Sequence, residues 1–224
     1  MPLRAGLQDH DLMHVFYLHG FASSARSSKA AFFASRLTAL GITVHVPDFN
    51  EPDFSTLTIS RMVDQVGRGM ASLNAEPAVL MGSSLGAFVA VQTALKYPAK
   101  VERVVLLAPA LDFSGKRLDN LGDRGVAEWE RTNSLDVFHY GFGRTMPVHY
   151  ELYADACRYD CLTAKLSMPI QVFQGRRDAA VDPETVERWA GTRPNVELHM
   201  LDDDHQLLGS LEYIWREVRR FLSV

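Results

Sequence analysis

The sequence has little of what marks secreted, membrane-bound or nucleic-acid-binding proteins. It contains two cysteines, Cys157 and Cys161, which are too few for the disulfide framework of a small secreted domain. We expect them to be two reduced, structural thiols within one helix. No apolar run is long enough to span a bilayer, and residues 1–11 lack the apolar core of a signal peptide. These absences predict a cytoplasmic protein without stable membrane association.

The chain also lacks any long run of lysine or arginine, and its formal net charge is -4. This charge gives no electrostatic footprint for nucleic acid, and it favours a small-molecule partner. Neither an internal repeat nor a low-complexity linker interrupts the 224 residues, of which 47% are hydrophobic and 22% charged. Length and composition therefore predict a single globular domain over residues 1–224.

The apolar pattern alternates between strands and helices. Buried-type runs predict strands at residues 14–18, 42–46, 79–81, 101–107, 169–174 and 196–200, with helices between and after them. This alternation is typical of a three-layer α/β/α sandwich with a mostly parallel sheet of about six strands, in the order 2-1-3-4-5-6. In the last helix, residues 207–222, the spacing predicts an inward stripe of Leu208, Leu211, Trp215, Val218 and Leu222.

Residues 112–166 interrupt the alternation of strands and helices. They are rich in aromatic side chains and too long for a single crossover helix. Ligands of open α/β sheets bind beyond the carboxyl ends of the strands. We therefore expect this segment to be a small, partly helical cap insertion over that edge of the sheet.

The segment Gly82-Ser83-Ser84-Leu85-Gly86 follows an apolar strand and precedes a helical pattern. Gly-x-Ser-x-Gly in this setting is typical of a nucleophile elbow, in which the serine lies on a strained strand-to-helix turn flanked by residues without side chains. The alternative is a turn in which glycine and serine only end a strand. The strand before it and the helix after it favour Ser84 as a nucleophile.

The loops after the first and third predicted strands face each other in this strand order. The Phe21 amide of the first loop would then lie beside the Leu85 amide, and two amides that point at one position can stabilise a developing oxyanion. Gly20 permits the close approach of the two loops. We expect His19 to shape its loop by hydrogen bonding rather than to act as a base.

A serine nucleophile needs a histidine to take its proton and a carboxylate to orient that histidine. His205 lies in the loop between the last strand and the last helix, at the same sheet edge as Ser84, and is the predicted base. The alternative is a polar turn histidine without a catalytic role. The other histidines precede the fold, lie in the first loop, alternate with apolar residues in strands or fall in the cap: His10, His14, His19, His45, His199, His139 and His149.

Two aspartates, Asp178 and Asp182, follow the fifth predicted strand. Asp182 precedes Pro183 and Glu184, a sequence typical of a helix N-cap, so its carboxylate is expected to bind backbone amides. Asp178 is therefore the predicted partner of His205. The chain order Ser, Asp, His is the order found in α/β-hydrolases.

Four segments together resemble the small α/β-hydrolase-fold esterases, especially compact bacterial carboxylesterases and acyl-protein-thioesterase-like enzymes. They are Leu18-His19-Gly20-Phe21-Ala22-Ser23-Ser24, Gly82-Ser83-Ser84-Leu85-Gly86, Gln174-Gly175-Arg176-Arg177-Asp178 and Asp204-His205. The resemblance spans nearly the whole chain, although the sequence has no evident N-terminal antiparallel hairpin and its cap is modest.

These observations predict a serine hydrolase that needs no metal and no cofactor. The apolar residues expected to contact an acyl chain are Phe21, Phe113, Trp129, Phe142 and Met146. They offer hydrophobic surface without a fixed cation, and a cap of about 50 residues shields a short or medium chain best, so neutral esters or thioesters of such chains are expected. The alternatives are C–C bond hydrolysis or perhydrolysis by the same residues, and a non-catalytic ligand-binding protein.

Overall fold

The computed structural model describes residues 13–73, 77–113 and 121–224. Its strands are β1 (His14–Leu18), β2 (Thr43–His45), β3 (Ala78–Ser83), β4 (Val101–Leu107), β5 (Leu135–His139), β6 (Arg144–Val148), β7 (Ile170–Gly175) and β8 (Val196–Leu201). Its α-helices are α1 (Ser28–Thr38), α2 (Ile59–Ala71), α3 (Leu85–Lys96), α4 (Gly122–Thr132), α5 (Glu151–Ala156), α6 (Pro183–Gly191) and α7 (Leu211–Leu222). His10, which we placed before the fold, lies outside the described residues.

The main sheet has six strands in the order β2-β1-β3-β4-β7-β8, and every neighbouring pair is parallel. This confirms the predicted α/β class and the predicted order of the six main-sheet strands. The fifth and sixth predicted strands are numbered β7 and β8, because the antiparallel pair β5–β6 precedes them in the chain. This pair forms a separate sheet that the sequence analysis did not predict. Parallel pairing brings the carboxyl ends of β3, β7 and β8 to one edge of the sheet.

Helices cover both faces of the main sheet, which confirms the three-layer arrangement. One core cluster contains the inward residues of α2, α3 and α6, and the other contains those of α1 and α7. Every residue of β3 is buried, as expected for a strand covered on both faces. Helix α3 is apolar over most of its surface and is buried from Leu85 to Ala94, so it forms a central support for the turn that precedes it.

The last helix differs in detail from its prediction. Leu207 has a left-handed backbone (φ 56°) that separates the helix from the preceding loop, and α7 begins at Leu211 after a short 3-10 turn. As a result Leu208, predicted to be buried, is 51% exposed. The buried stripe of α7 is formed by Ile214, Val218 and Leu222.

The segment from Leu121 to Leu166 contains α4, the β5–β6 hairpin and α5, while part of the expected cap, residues 114–120, lies outside the described residues. The hairpin packs on the loops that follow β1 and β2, because the Gly141 amide donates to the Ala22 carbonyl and the His149 amide to the Ser55 carbonyl. It therefore lies at the carboxyl edge of the sheet.

The two cysteines were expected to lie in one helix, but they do not, because α5 ends at Ala156, before both of them. Both lie in the described part of the chain, and they form no disulfide. Cys161 is fully buried, and burial raises the pKa of its thiol well above the usual range, although a hydrogen bond with Gln92 opposes that shift. None of the helices in the described part of the chain has the length and apolar character needed to cross a bilayer.

Candidate active site

Ser84 lies on the sharp turn between β3 and α3, with φ 55° and ψ -116°. A non-glycine residue rarely adopts a positive φ, and such strain persists only where the surroundings hold it. A Cβ on Gly82 would overlap the backbone of Gly86 and Ala87, and a Cβ on Gly86 would overlap the Leu18 carbonyl. The two glycines of the motif are therefore required by close backbone packing around Ser84.

The hydroxyl of Ser84 is within hydrogen-bonding distance of His205, with 3.1 Å between Oγ and Nε2. The Nδ1 atom of the same imidazole lies 2.8 Å from Oδ2 of Asp178. A carboxylate only accepts hydrogen bonds, so Nδ1 carries the proton and Nε2 is left to accept from the serine hydroxyl. The three predicted residues thus form one continuous chain of hydrogen bonds.

Asp178 is buried and its carboxylate is fully engaged. Oδ1 accepts hydrogen bonds from the amides of Ala180 and Val181, both at 2.8 Å, and Oδ2 accepts one from Gln174 Nε2 at 2.9 Å. Burial opposes ionisation, but the hydrogen bond and charge of His205, with the bonds from Val181 and Gln174, hold the pKa of Asp178 below its ordinary value. The group facing His205 is therefore an anion.

Asp182 is the N-cap of α6, where it accepts hydrogen bonds from the amides of Glu184 and Thr185 at 3.2 and 3.1 Å. Its distinction from Asp178 agrees with the sequence analysis. Two acidic residues near His205 stabilise the turn that carries it: Asp202 forms an ion pair with Arg177, and Asp204 accepts a hydrogen bond from the Gln206 amide.

The loop after β1 lies against the Ser84 turn. A Cβ on Gly20 would be 3.2 Å from the Ser83 carbonyl oxygen and 3.3 Å from Ser84 Cβ, so this loop touches the turn as predicted. Leu85 is the first residue of α3, and the first amides of a helix have no partner within it. The amides of Phe21 and Leu85 thus belong to two segments that meet beside Ser84.

His19 holds this loop through both of its ring nitrogens. Nδ1 lies 2.9 Å from the Gly20 carbonyl oxygen, and Nε2 lies 3.0 Å from the Phe49 amide nitrogen. Nε2 also lies 3.4 Å from Oδ1 of Asp48. These bonds agree with a loop-shaping histidine, while Ser84 makes its contact with His205.

The residues proposed to contact an acyl chain are only partly brought together. The rings of Phe21 and Phe113 lie 6.5 Å apart, beside the Ser84 turn, and Met146 of β6 packs partly buried against the same core cluster. Phe142 is 48% exposed at the tip of the hairpin, where it stacks on His139.

Trp129 does not fit the role that the sequence analysis gave it. Its side chain is 3% exposed, and its indole N–H donates to the Val148 carbonyl at 2.9 Å. The ring also packs against Tyr150 and Tyr153. In this structure Trp129 holds α4, β6 and α5 together and lines no open site.

The sequence analysis missed Gln174, Lys29 and Asn50. Gln174 is fully buried in β7, and a glutamine in an otherwise apolar strand could have signalled a buried polar contact. Burial lowers the pKa of Lys29 to about 8, while the nearby carboxylates of Asp178, Asp204 and Asp203 oppose that shift. Asn50 forms hydrogen bonds with Ser23, Asp48 and His139, which lie in three segments. No local pattern in the sequence indicates these contacts.

One group of side chains among the described residues is close enough to share a metal ion: Glu197, His199 and Glu217. Arg220 already donates hydrogen bonds to both carboxylates, and His199 Nε2 lies 2.9 Å from Glu197 Oε1. Arg216 also pairs with Glu217, so two arginines face the two carboxylates without an ion. The group is therefore explained as an ion-pair network on β8 and α7.

Several solved structures are similar to the whole chain. A candidate hydrolase from Agrobacterium vitis S4 matches with a TM-score of 0.82 and 24% identity over 97% of this chain and 90% of that one. Est1E from Butyrivibrio proteoclasticus, with bound ferulic acid, matches with a TM-score of 0.78 and 18% identity over 94% of this chain and 88% of that one. Mouse alpha/beta hydrolase domain-containing protein 10 has the same TM-score and identity, over 94% and 89%. These likenesses establish the α/β-hydrolase fold.

Among curated sequences, the homoserine O-acetyltransferase of Thermus thermophilus is 41% identical over 56 residues. That match covers 25% of this chain and 15% of the acetyltransferase, so the chain spans a small part of this relative's length. Residues 14–222 match the family described as "Uncharacterised protein family (UPF0227)", and the chain belongs to that family.

Proposed function

We propose that the protein is a serine hydrolase that cleaves carboxylic esters or thioesters of short to medium acyl chains through an acyl-enzyme on Ser84. The observation that carries the proposal is the chain of hydrogen bonds from Ser84 through His205 to Asp178, which begins on a strained turn. A serine hydroxyl is a weak nucleophile near neutral pH, and this arrangement supplies both a base and a carboxylate that orients it.

In the proposed reaction, His205 Nε2 takes the Ser84 proton while Oγ attacks the acyl carbonyl carbon. The negative charge that develops on the carbonyl oxygen is stabilised by the amides of Phe21 and Leu85. The imidazolium then gives its proton to the leaving alkoxide or thiolate. A water molecule deprotonated by His205 attacks the acyl-enzyme, and the imidazolium returns a proton to Ser84 as the acid leaves. Asp178 remains ionised, in agreement with its lowered pKa.

The proposed acyl class is supported by the surface beside Ser84. The partly buried ring of Phe21 lies there beside the buried ring of Phe113, and apolar rings bind neutral acyl chains better than charged ones. Est1E, the relative with bound ferulic acid, has the same fold. A second candidate activity is acyl transfer to an alcohol in place of water, and the segment that matches homoserine O-acetyltransferase favours it.

A fluorophosphonate probe tests the nucleophile directly, since it labels only an activated serine. We expect labelling of the wild type and of a Ser134→Ala control on the exposed cap surface, and none of Ser84→Ala or His205→Ala. An unlabelled wild type would instead support a non-catalytic ligand-binding protein. Labelled protein that turns over diketones or peroxide far better than esters would favour C–C hydrolysis or perhydrolysis.

A further inference from the structure

We infer that Asn50 is a positioning residue for the oxyanion loop: its amide fixes the Gly20–Ser23 turn, which carries the Phe21 amide, against the Ser84 turn. This inference rests on the proposed function, because it concerns how that site holds one of its oxyanion donors. Asn50 lies in the loop after β2 and touches neither Ser84 nor His205 through any of its hydrogen bonds.

The turn from Gly20 to Ser23 is closed by a hydrogen bond from the Ser23 amide to the Gly20 carbonyl at 3.3 Å. Phe21 and Ala22 are its two central residues, and Ala22 has a positive φ of 53°. An alanine in this region is strained, so the turn relaxes unless other contacts hold it. The direction of the Phe21 amide depends on this turn.

Asn50 supplies one of those contacts with an amide whose hydrogen-bonding groups are all used. Its Nδ2 donates to the Ser23 carbonyl at 2.9 Å and to Asp48 Oδ1 at 2.8 Å. Its Oδ1 lies 2.9 Å from Nε2 of His139. The side chain is 7% exposed, so water does not readily replace the Ser23 bond. These partners also fix which way the amide is turned.

The same contacts connect the turn to the β5–β6 hairpin. His139 is fully buried. Its Nδ1 accepts a hydrogen bond from the Phe142 amide at 3.2 Å, and its Nε2 donates one to Asn50 Oδ1. The Gly141 amide at the hairpin tip donates to the Ala22 carbonyl at 3.4 Å. Asn50 and the hairpin therefore hold two successive carbonyls of the strained turn from one side, while His19 holds the Gly20 carbonyl from the other.

The test compares Asn50→Asp with Asn195→Ala. An aspartate keeps the size and the acceptor facing His139, but it loses the donor to both the Ser23 carbonyl and Asp48 Oδ1. Asn195 is the matched control, because its Nδ2 also donates to two loop carbonyls, those of Leu166 and Met168, far along the chain from the oxyanion loop. Both variants are assayed for kcat and KM on a short-chain ester and for inhibition by a trifluoromethyl ketone, which forms a tetrahedral oxyanion on the serine.

We expect Asn50→Asp to lower kcat about 10- to 100-fold with KM within about twofold, as for a small misplacement of a catalytic group. Affinity for the trifluoromethyl ketone should fall by a similar factor. Asn195→Ala should lower Tm while leaving kcat and ketone affinity unchanged. Wild-type kcat and ketone affinity in a folded Asn50→Asp would overturn the inference, and so would equal losses of kcat in both variants.

Asn50→Ala provides a second route if Asn50→Asp does not fold, because it removes the donor to the Ser23 carbonyl without placing a second carboxylate beside Asp48. It should show the same loss of kcat and ketone affinity, and an unchanged kcat would count against the inference. Failure of the wild type to react with a fluorophosphonate refutes the proposed function instead, so the two failures are distinguishable.

Discussion

His205 Nε2 lies 3.1 Å from Ser84 Oγ, although 121 positions separate the two residues in the chain. The sheet explains this proximity, since Ser84 follows β3 and His205 follows β8, and both strands end at the same edge. Asp178 follows β7, the direct neighbour of β8. The proposed catalytic residues are thus presented by three strand ends of one parallel sheet, and α3 and the glycines of the turn fix the position of Ser84.

The first prediction separates the two aspartates that follow β7. Asp178→Asn should lower kcat by about 10⁴-fold, because an amide cannot hold the imidazole in the required tautomer or stabilise the imidazolium. Asp182→Asn should leave kcat and Tm close to wild type, since asparagine caps a helix about as well as aspartate. Ester kinetics and thermal melts on both variants provide the measurement.

Asp178→Asn should also lower Tm, because the NH₂ group of the asparagine cannot accept the hydrogen bonds that one of the carboxylate oxygens, Oδ1 or Oδ2, accepts in the wild type. That loss should be modest beside the loss of kcat. If Asp182→Asn lost activity and Asp178→Asn kept it, the orienting acid would be Asp182.

The second prediction concerns stability in mild acid. Burial is the main cause that lowers the pKa of His139, nearby His19 and Arg144 add to the shift, and Asp48 opposes it. As pH falls below about 6.5, the unfolded chain takes up a proton that the folded chain does not, so stability decreases until the folded-state pKa is passed. His139→Gln removes this proton uptake, and its urea midpoint should depend less on pH than the wild-type midpoint below about pH 6.5.

His45 also has a pKa lowered by burial, with His14 adding to the shift, and it serves as the comparison. His45→Gln should flatten the pH dependence of stability without changing ester kcat, since the ring of His45 makes its contacts with His14 and Phe16 of β1. Identical pH dependence in His139→Gln and the wild type would show that His139 does not couple folding to protonation.

The sequence was sufficient for the main sheet and for the spatial convergence of Ser84, Asp178 and His205. Buried strands carry a strong local signal, and parallel pairing leaves a single edge where the loops after β3, β7 and β8 can meet. The elbow glycines could also be predicted, because their close contacts are made with backbone that is near in sequence or in the neighbouring strand. These features follow from local sequence patterns together with the parallel order of the strands.

The β5–β6 hairpin could not be predicted in the same way. The hairpin leaves Phe138 of β5 52% exposed and Tyr140 of its turn 79% exposed, so exposed and buried positions do not coincide with polar and apolar residues. Aromatic composition likewise suggested that Trp129 lines the site, whereas tertiary packing buries it. Asn50 was missed because its role depends on the Ser23 carbonyl and on the side chains of Asp48 and His139, which come from three separate segments.

The third prediction tests which aromatic residue limits the acyl chain. Phe113→Leu removes part of a ring that contacts Phe21 and Phe88, so the optimum in kcat/KM should move toward longer acyl chains, each extra buried methylene contributing about 0.8 kcal/mol. Trp129→Phe is the control, because it removes the bond to the Val148 carbonyl and should lower Tm without moving that optimum.

The measurement is a series of p-nitrophenyl esters from acetyl to palmitoyl, repeated with coenzyme A thioesters. For the wild type we expect kcat/KM to be highest at a short or medium chain. A steady rise to palmitoyl would contradict the small acyl pocket, and an optimum that moved in Trp129→Phe but not in Phe113→Leu would place the limiting surface in the cap.

The last prediction tests the contact between the oxyanion loop and the Ser84 turn. A Cβ on Gly20 would lie 3.2 Å from the Ser83 carbonyl oxygen and 3.3 Å from Ser84 Cβ, which is tight enough to move the loop by a few tenths of an ångström. Gly20→Ala should therefore fold and bind substrate with nearly the wild-type KM, while kcat falls about 10- to 100-fold because the Phe21 amide is displaced. Gly191→Ala is the matched control: Gly191 ends α6, and a Cβ there meets nothing within 4 Å. That variant should keep the wild-type kcat and a Tm equal to or above that of the wild type, since alanine is favoured over glycine in a helix. An unchanged kcat in Gly20→Ala would mean that the loop after β1 does not supply an oxyanion donor, and the search for that donor would turn to other amides beside Ser84.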